Sequence, residues 1–505
     1  MFIFTAKEMN DMDRITMEET SLEGKMLMEN AGRAISERLE QMREKSDRIL
    51  VLAGSGNNGG DGFVAARTLM NDFYDVQVVQ VVPDEKITGD ALYHKQLLEN
   101  FGGEVARISE SAELGAWLSE ADVVVDAMIG TGINGELREP LAGMVKLLND
   151  SPVRTISLDI PSGLPAGEGV QEFTAVQADQ TIIVAAPKIS AFLQATASYY
   201  GSWETVSIGM PMKVLRQHAT RQVWTAENFR QTMPSRQQND HKGDHGKGLV
   251  IGGSAEMPGS LAMTVRAALR TGAGLITAAT TERVMNMIAP WNVEATYLTL
   301  GETNGVLNND KPVPADAYDA VALGIGMGRS KDTEALVHQV MEKAPGPVVV
   351  DADALHHVKA DLAILENRTN PTVLTPHPGE MAMLLGLEVP ELLAKPFAYS
   401  EEFARKYQVY VVLKGSHTII TAPDGTQGVN PTGNPGLAKG GSGDILTGMV
   451  LAMVMQKQEV FPALCNACYL HGEAADRLVD KKHSYHDLLA SDVIEGIADA
   501  YRSIS

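Results

Sequence analysis

The sequence predicts an α/β protein of two domains, each with a mostly parallel sheet covered by helices on both faces. Short β-branched segments alternate with helical segments in two series, and this alternation stops in a polar stretch between about 210 and 240. A chain of 505 residues is also too long for one ordinary domain. We therefore expect one domain over 1–215 and a second over 225–505, and the two series do not resemble repeats of each other.

The first series begins at residue 48, with helices expected around 88–100 and from about Pro140 to Leu148. The polar stretch that follows this series is expected to lack a strand until residue 248. The predicted strand segments are 48–54, 75–82, 121–130, 153–163 and 180–188 in the first half, and 248–254, 274–280, 319–326, 346–355, 371–377 and 408–415 in the second.

Composition narrows the class of protein. With 44% apolar and 21% charged residues, the chain is typical of a soluble globular protein, and its net charge of −22 argues against nucleic-acid binding. A nucleotide substrate stays compatible with that charge, because backbone amides can hold phosphates. We expect no secretory signal, no membrane span and a cytoplasmic location. Cys465 and Cys468 form a C-x-x-C in a helical pattern, and buried thiols are favoured over redox or metal chemistry.

Three loops of the first half follow predicted strands, at 53–62, 126–136 and 158–163. In open α/β sheets ligands bind at the carboxyl ends of strands, so these loops should converge. The first loop formally fits G-x-G-x-x-G, a weak signal alone. Asn57, Asn58 and Asp61 depart from a dinucleotide fingerprint, and a site for a phosphate together with a monovalent cation is favoured instead.

Asp126 and Asp159 both close predicted strands. Each carboxylate either supports its loop or performs chemistry, and partial burial would raise its pKa toward the range that a general acid or base needs. Asp159 is preferred as the proton carrier, because Pro161 stiffens its loop. Asp126 suits a cation, together with oxygens of Asn58 and Ser162.

In the second half, the glycine-rich segment from Gly440 to Gly443 precedes Asp444 and an apolar helical stretch. A helix start presents unpaired N–H donors, and glycines let a phosphate approach them closely. Asp444 would then deprotonate an attacking hydroxyl during phosphoryl transfer. The alternative is that Asp444 only caps the helix.

Two other strand ends of the second half carry polar residues. Lys414 and Gly415, followed by hydroxyls and His417, either hold nucleotide phosphates or form a plain turn. His377, between two prolines, either contacts a substrate or is a solvated loop residue. No G-x-x-x-x-G-K-[ST] motif is present, which disfavours a P-loop kinase.

Several of these motifs resemble a known family. "GGSGDILTG", "KGSHT" and "TPHPGE" resemble the ribokinase-like superfamily and, within it, the ADP/ATP-dependent NAD(P)H-hydrate dehydratases. "GNNGGDG", "DAMIGTG" and "LDIPSG" are similar to the NAD(P)H-hydrate epimerases. The fusion in this order is similar to bifunctional bacterial repair enzymes. The resemblance implies a Rossmann-like three-layer N-terminal domain and a ribokinase-like C-terminal domain.

The resemblance also implies the chemistry. Reduced nicotinamide cofactors become hydrated at C6; the first domain would interconvert the R and S hydrates, and the second would dehydrate the S form with ADP or ATP, of which ADP is favoured. K⁺ in the first site, Mg²⁺ in the second and a homo-oligomer, a tetramer or larger, are implied. No nucleic-acid or membrane partner is expected.

The resemblance assigns residues to both sites. In the first, substrate would contact Asn57, Asn58, Gly59, Gly60, Asp61, Gly130, Thr131, Gly132, Ile133, Asn134, Gly135, Glu136 and Asp159, and K⁺ would be bound by Asn58, Asp126 and Ser162. In the second, the hydrate would face Ser260, Gly326, His377 and Asp444, and the nucleotide would contact Lys414, Gly415, Ser416, His417, Thr418 and Gly443. Asp444 and Asp159 would be the catalytic residues.

Two other functions share some of these features. A small-alcohol or vitamin kinase with an accessory N-terminal domain would have the same glycine-rich segment and aspartate, but it would leave a stable phosphorylated product. Alternatively, the first half would be a non-catalytic ligand-sensing module that regulates the second.

Overall fold

The structure is a computed structural model, and it describes residues 1–132, 135–170 and 172–504. The chain divides into two compact units, Met1–Ala219 and Thr220–Ser505. Each unit contains its own parallel sheet and its own helices.

The first unit alternates strands and helices after two N-terminal helices. Its strands are β1 (Phe2–Ile3), β2 (Arg48–Ala53), β3 (Asp75–Gln80), β4 (Val105–Arg107), β5 (Val123–Ala127), β6 (Arg154–Leu158), β7 (Gln180–Val184) and β8 (Ser202–Val206). Its helices are α1 (Ala6–Thr20), α2 (Gly24–Met42), α3 (Asn57–Asn71), α4 (Gly89–Asn100), α5 (Leu114–Glu120), α6 (Leu141–Asp150) and α7 (Met212–His218).

The sheet of the first unit is parallel throughout its described ladders, in the order β4-β3-β2-β5-β6-β7-β8. Ile49 and Val51 pack into a core with α2 and α3, whereas Leu50 and Leu52 pack into a second core with α5 and α6. Both faces are therefore covered, which explains the continuous apolar runs of these strands. The predicted Rossmann-like three-layer arrangement is confirmed.

Strand order reverses between β2 and β5, because β3 and β4 lie on one side and β6 to β8 on the other. Such a switch point opens a crevice at the carboxyl ends of the two central strands. The loops after β2, β5 and β6 are the three that the sequence predicts to converge.

Several details of the first unit differ from the sequence prediction, which did not include β4, β8, α5 or α7. Helix α3 begins at Asn57, so the glycine-rich segment predicted as a loop forms its first turns. The prediction placed no element before residue 48, yet α1 and α2 are there; Thr5 and Glu8 form a capping box at the start of α1. The motif T-x-x-E was the available signal.

The second unit has a larger sheet with helices on both faces. Its strands are β9 (Arg221–Val223), β10 (Lys247–Gly252), β11 (Leu275–Thr281), β12 (Thr296–Leu300), β13 (Glu302–Thr303), β14 (Val306–Leu307), β15 (Ala320–Ile325), β16 (Val348–Val350), β17 (Thr372–Leu374), β18 (Tyr410–Leu413), β19 (Thr418–Thr421) and β20 (Gln427–Asn430). Its helices are α8 (Ala226–Thr232), α9 (Pro258–Arg270), α10 (Glu282–Ile288), α11 (Lys331–Lys343), α12 (Asp353–Ala360), α13 (Ala363–Glu366), α14 (Pro378–Leu385), α15 (Val389–Ala394), α16 (Pro396–Tyr407), α17 (Ser442–Val454), α18 (Val460–Lys481) and α19 (Ala490–Ile504).

Within this unit the strands follow the order β9-β20-β19-β18-β17-β16-β15-β10-β11-β12. The ladders of this sheet are parallel except for β18 with β19 and β19 with β20, which are antiparallel, and β13 and β14 form a separate antiparallel pair. The prediction missed β12, β13, β14, β19 and β20. It was also wrong in leaving the polar stretch without a strand, because β9 lies there and pairs with β20. Strand β9 has only three residues and is stabilised by its pairing with β20, so its own sequence pattern is too short to detect.

Helix α17, which begins with the glycine-rich segment, packs closely against α9. A Cβ on Gly448 would lie 2.2 Å from the carbonyl oxygen of Thr264, so only glycine fits this crossing. Thr264 Oγ1 also donates to the carbonyl oxygen of Asp444 at 2.9 Å. The contact therefore fixes the start of α17 relative to α9. No helix of the described residues is both long and apolar enough to cross a membrane.

We expect Gly448→Ala to lower the free energy of unfolding of the second unit by about 1–3 kcal/mol, because the added methyl group meets backbone. Gly259→Ala, in α9, is the control: a Cβ there meets nothing within 4 Å. That control should be neutral or stabilising, by up to about 1 kcal/mol. Urea unfolding followed by circular dichroism checks both, and equal stabilities would contradict the close contact.

Candidate active sites

A cavity of about 540 Å³ lies at the carboxyl ends of the strands in the first unit. It is lined by α1 and α2, by the first turn of α3, and by the segments that follow β5, β6 and β7. The three predicted loops therefore contribute to one cavity, together with two helices that the sequence prediction did not include.

Asp159 and Lys188 form an ion pair in this cavity. Lys188 Nζ donates to Asp159 Oδ1 at 2.9 Å and to the carbonyl oxygen of Ala186 at 2.8 Å, and its side chain is only 1% exposed. Asp159 has φ 60°, in the left-handed region, and its Oδ1 also accepts from the backbone N–H of Val184. The left-handed backbone and these bonds together hold the carboxylate in the cavity.

Asp61 and Asp13 add two more carboxyl groups to the same cavity. Burial, with the charges of Asp159 and Asp13, raises the pKa of Asp61 well above its usual range. Burial also raises the pKa of Asp13 to about 6; Lys188 opposes this shift and Asp159 adds to it. The cavity thus holds one lysine–carboxylate ion pair and two further carboxyl groups whose pKa values burial raises, that of Asp13 to about 6.

Asp126 is fully buried and its carboxylate accepts four hydrogen bonds. Ser162 donates both its hydroxyl, at 2.5 Å, and its backbone N–H, at 2.8 Å; Ser157 Oγ and the N–H of Met128 complete the set. Burial raises the pKa of Asp126, although these bonds oppose the shift. Ser162 Oγ also accepts from the N–H of Ile129 at 2.8 Å. The network joins the loops after β5 and β6.

Asn58 is buried, and neither its amide oxygen nor its amide nitrogen has a hydrogen-bond partner among residues 1–132, 135–170 and 172–504. Its Cβ lies 3.3 Å from where a Cβ on Gly130 would be, so it packs on the loop that follows β5. A buried amide without partners is unfavourable unless a ligand or ion satisfies it.

The other predicted residues of the first site divide into groups. Asn57, Gly130, Thr131 and Gly132 line the cavity. Gly59 and Gly60 are buried against Gly54 and Met28 and are not among its lining residues. Gly135 and Glu136 are exposed and also lie outside the lining, while Ile133 and Asn134 fall outside the described residues.

In the second unit, Asp444 lies in the first turn of α17, behind the cap residue Gly441 with φ 97°. Burial raises the pKa of Asp444 to about 6; the charge of Asp351 adds to the shift, while a hydrogen bond with Ser260 and the charge of Lys414 oppose it. Gly326 is close by, since a Cβ there would lie 3.5 Å from Ser260 Cβ. Three predicted residues are thus together.

Lys414 extends from the end of β18 toward the same helix start. Its Nζ is 3.0 Å from Asp351 Oδ1, 3.9 Å from Glu380 Oε2, and 3.5 Å from where a Cβ on Gly443 would be. Burial by itself would lower the pKa of Lys414, but these carboxylates and Asp444 together raise it. The ammonium group is therefore charged beside the amides of α17.

Asp351 links this lysine to the helix, because its other oxygen accepts from Thr447 Oγ1 at 2.6 Å. The sequence prediction of this site did not include Asp351, Thr447 or Glu380. In the first unit it missed Lys188 and Asp13. Lys188 ends a predicted strand segment directly after a proline, which was a usable signal; Asp13 lies in a helix that the prediction lacked.

His377 caps α14: its Nδ1 accepts from the N–H of Glu380, and its side chain is 58% exposed. The predicted nucleotide segment lies in the turn between β18 and β19, where Gly415 and Ser416 are exposed and His417 and Thr418 are partly buried. Among the described residues no group of three or more His, Cys, Asp or Glu side chains is arranged to hold a metal ion.

Cys465 and Cys468 are buried, free thiols on α18, as the sequence predicts. Burial raises the pKa of Cys465 well above its usual range and that of Cys468 to about 12. Neither thiol is a thiolate at neutral pH.

Both halves of the chain match family models. Residues 24–190 match the YjeF-related protein N-terminus, and residues 248–498 match NAD(P)H-hydrate dehydratase. A bifunctional NAD(P)H-hydrate repair enzyme of Moorella thermoacetica is 36% identical over 516 residues, covering 100% of this chain and 97% of the relative. That of Escherichia coli K12 is 33% identical, covering 92% of this chain and 87% of the relative.

Solved structures resemble the second unit. An ADP/ATP-dependent NAD(P)H-hydrate dehydratase from Bacillus subtilis, co-crystallised with ATP and Mg²⁺, is 37% identical with a TM-score of 0.50, covering 56% of this chain and 98% of its own. A ribokinase-like superfamily protein of Enterococcus faecalis has the same TM-score at 22% identity, covering 57% of this chain and 97% of its own, and confirms the fold.

Fold and sites define a two-unit α/β enzyme whose second unit is ribokinase-like. The chain belongs to the family of bifunctional NAD(P)H-hydrate repair enzymes. The predicted family and function are confirmed, and the comparisons favour them over a small-alcohol kinase with an accessory domain.

Proposed function

We propose that the first unit, assigned to residues 1–215, interconverts R and S NAD(P)H hydrates, and that the second, assigned to 225–505, dehydrates the S form with ADP or ATP. The observation that carries the second activity is Asp444, a carboxylate with a pKa of about 6 at a glycine-rich helix start beside a charged lysine. That arrangement suits phosphoryl transfer to an alcohol.

In the second site Asp444 takes the proton of the C6 hydroxyl, and the hydroxyl oxygen attacks the terminal phosphorus of the nucleotide. The N–H groups at the start of α17, including that of Gly443, and the ammonium of Lys414 stabilise the charge of the moving phosphoryl group. The C6–O bond then breaks with phosphate as leaving group, and a proton leaves the neighbouring ring carbon. NADH or NADPH is restored, and ADP becomes AMP.

The remaining predicted residues of this site have supporting roles. Ser260 and Gly326 lie next to Asp444 and would contact the hydrate, with His377 at the rim. The nucleotide would be held by Lys414, by the turn from Gly415 to Thr418 and by Gly443. Mg²⁺ would neutralise nucleotide phosphates when bound, and nothing in the described residues fixes its position.

In the first site, exchange of epimers requires the C6 hydroxyl to leave one face of the ring and return to the other. An acid protonates the departing hydroxyl, the ring nitrogen supplies electrons to C6, and water adds from the opposite face and gives up a proton. Asp159 accepts that proton, held in place by Lys188. Asp13 supplies the proton to the leaving group, and the carboxyl group of Asp61 forms a hydrogen bond with the substrate.

K⁺ in the first site would be held by Asn58, Asp126 and Ser162. Support comes from the unpaired amide oxygen of Asn58, which is a suitable ligand for a hard cation. Asp126 already accepts four hydrogen bonds, so its main contribution to the K⁺ site would be to orient Ser162 and the loop after β5.

The whole function is tested by incubating the chain with mixed hydrates, Mg²⁺ and either ADP or ATP. We expect the near-ultraviolet absorbance of the reduced nicotinamide to return with release of inorganic phosphate, and faster with ADP. A stable phosphorylated hydrate, without recovery of the reduced nicotinamide absorbance, would favour a kinase.

Light scattering after gel filtration would test the homo-oligomer, and fractionation of cells would test the cytoplasmic location.

Asp444→Asn should lower the rate of S-hydrate dehydration by about 10²-fold or more, because the base is lost, while epimer exchange continues. For the unaltered chain the dehydration rate should rise as pH increases through about 6, since only ionised Asp444 accepts a proton. One pH unit below that value the rate should be about tenfold under its plateau. Asp361→Asn, exposed in the same unit, is the control. A dehydration rate that did not change with pH would contradict the role of Asp444 as the base.

Asp159→Asn should stop epimer exchange and leave dehydration of pure S hydrate unchanged. Asp13→Asn should slow exchange by about 10²-fold, because it removes one proton donor. Asp11→Asn on the same helix, with its side chain 45% exposed and outside the cavity, should behave like the unaltered chain. NMR of isotopically labelled hydrates follows the exchange. A normal rate of epimer exchange in Asp159→Asn would show that Asp159 is not the proton acceptor.

Replacing K⁺ by Na⁺ should slow epimer exchange without affecting dehydration of S hydrate. Asn58→Ala should remove this ion dependence, because the unpaired ligand is gone. Thermal unfolding in KCl and NaCl gives a second measurement, since a bound ion stabilises the first unit. Equal rates and equal unfolding temperatures in the two salts would contradict the K⁺ proposal.

A further inference from the structure

A second cavity in the first unit, of about 510 Å³, lies in the groove between α2, α3 and α4. It shares no lining residue with the Asp159 cavity, and the two are lined by different positions of α2. Its volume is in the range of sites that hold small organic molecules. The proposed epimerisation and dehydration make no use of it.

His94 lines this cavity with an unpaired acceptor. Its Nε2 is 3.0 Å from the carbonyl oxygen of Lys25, and since a carbonyl only accepts, Nε2 carries the hydrogen. Burial lowers the pKa of His94, so the ring is neutral and Nδ1 has a lone pair. Nδ1 has no hydrogen-bond partner among the described residues, and the side chain is 1% exposed.

A second acceptor lies near this nitrogen. Glu29 Oε2 lies 3.7 Å from His94 Nδ1, beyond hydrogen-bond distance. Arg67 donates to this carboxylate, whereas no residue in the described part of the chain donates to His94 Nδ1. A hydroxyl or amino group of a ligand would satisfy His94 Nδ1 and could also approach Glu29.

Around these acceptors the cavity carries positive charge and aromatic surface. Arg67 donates to both oxygens of Glu29, at 2.8 and 2.6 Å, and Arg33 Nη1 lies 3.9 Å from the same carboxylate. Two guanidinium groups thus share one carboxylate, while the remaining cation, Lys25, is paired with Glu23, which is not a lining residue.

The aromatic surface of the cavity comes from α4. The ring of Phe101 is 68% exposed and that of Tyr93 is 44% exposed. The guanidinium of Arg67 lies 5.7 Å from the Phe101 ring centroid, so charge and aromatic surface are adjacent. Planar rings stack on such surfaces, and stacking tolerates different ring chemistries.

We propose that this cavity binds a molecule of the nucleoside monophosphate type. Its planar base stacks on Phe101 and Tyr93, its sugar hydroxyls donate to His94 Nδ1 and Glu29, and its phosphate pairs with Arg33. Each part of such a molecule matches one feature of the groove.

Calorimetric titration of the full chain with AMP tests the proposal. Phe101→Ala and Arg33→Glu should each weaken one class of AMP binding by about fivefold or more, through lost stacking and lost charge. The matched controls are Phe73→Ala, whose ring is 87% exposed outside the cavity, and Arg38→Glu, one turn farther along α2. Both should bind AMP like the unaltered chain. Binding of AMP at any other nucleotide site is the same in all variants, so it does not affect the comparison.

Identical titrations for all four variants would overturn the proposal. Adenosine and inorganic phosphate should each bind more weakly than AMP. If adenosine bound as tightly as AMP, the phosphate site at Arg33 would be wrong. If inorganic phosphate bound as tightly, the base and sugar sites would be wrong. Crystals of the full chain soaked with AMP should show density beside His94 and Glu29. Density only at other sites would also overturn it.

Discussion

In each unit, a lysine after one strand holds a carboxylate that follows a different strand of the same sheet. Lys188 holds Asp159 in the first unit, and Lys414 holds Asp351 in the second. A charge at these depths is costly unless it is paired, so each pair fixes where the strand ends lie relative to one another. The remaining carboxyl groups are then buried around a fixed positive centre.

This arrangement explains why carboxyl groups with the same ordinary pKa behave differently. Asp13 and Asp444 lie beside a lysine without a hydrogen bond to it, and burial raises the pKa of each to about 6. Asp61 is more deeply buried, and burial raises its pKa well above the usual range. One sheet edge thereby supplies both a proton donor and a proton acceptor near neutral pH, as acid–base chemistry requires.

Much of the fold could be predicted from the sequence, because parallel strands buried on both faces leave continuous apolar runs. The site loops were predictable for the same reason: polar residues directly after such runs must gather at one edge. The sequence could not show which side chains from different segments of the chain lie next to one another at that edge. Asp13 and Asp351 matter because of what lies beside them, and Asn58 is distinctive because no residue in the described part of the chain pairs with its amide group. The strand β9 was missed since its stability comes from pairing and not from its own three residues.

The left-handed backbone of Asp159 limits which residues that position can accept. Such a conformation costs an ordinary side chain about 1–2 kcal/mol, but glycine, asparagine and aspartate adopt it readily. Most single changes at this codon would therefore disturb the chain path as well as the chemistry. A relative that has lost one activity while keeping an intact first unit should show asparagine or glycine here, and that substitution would serve as a marker of the loss in genome surveys.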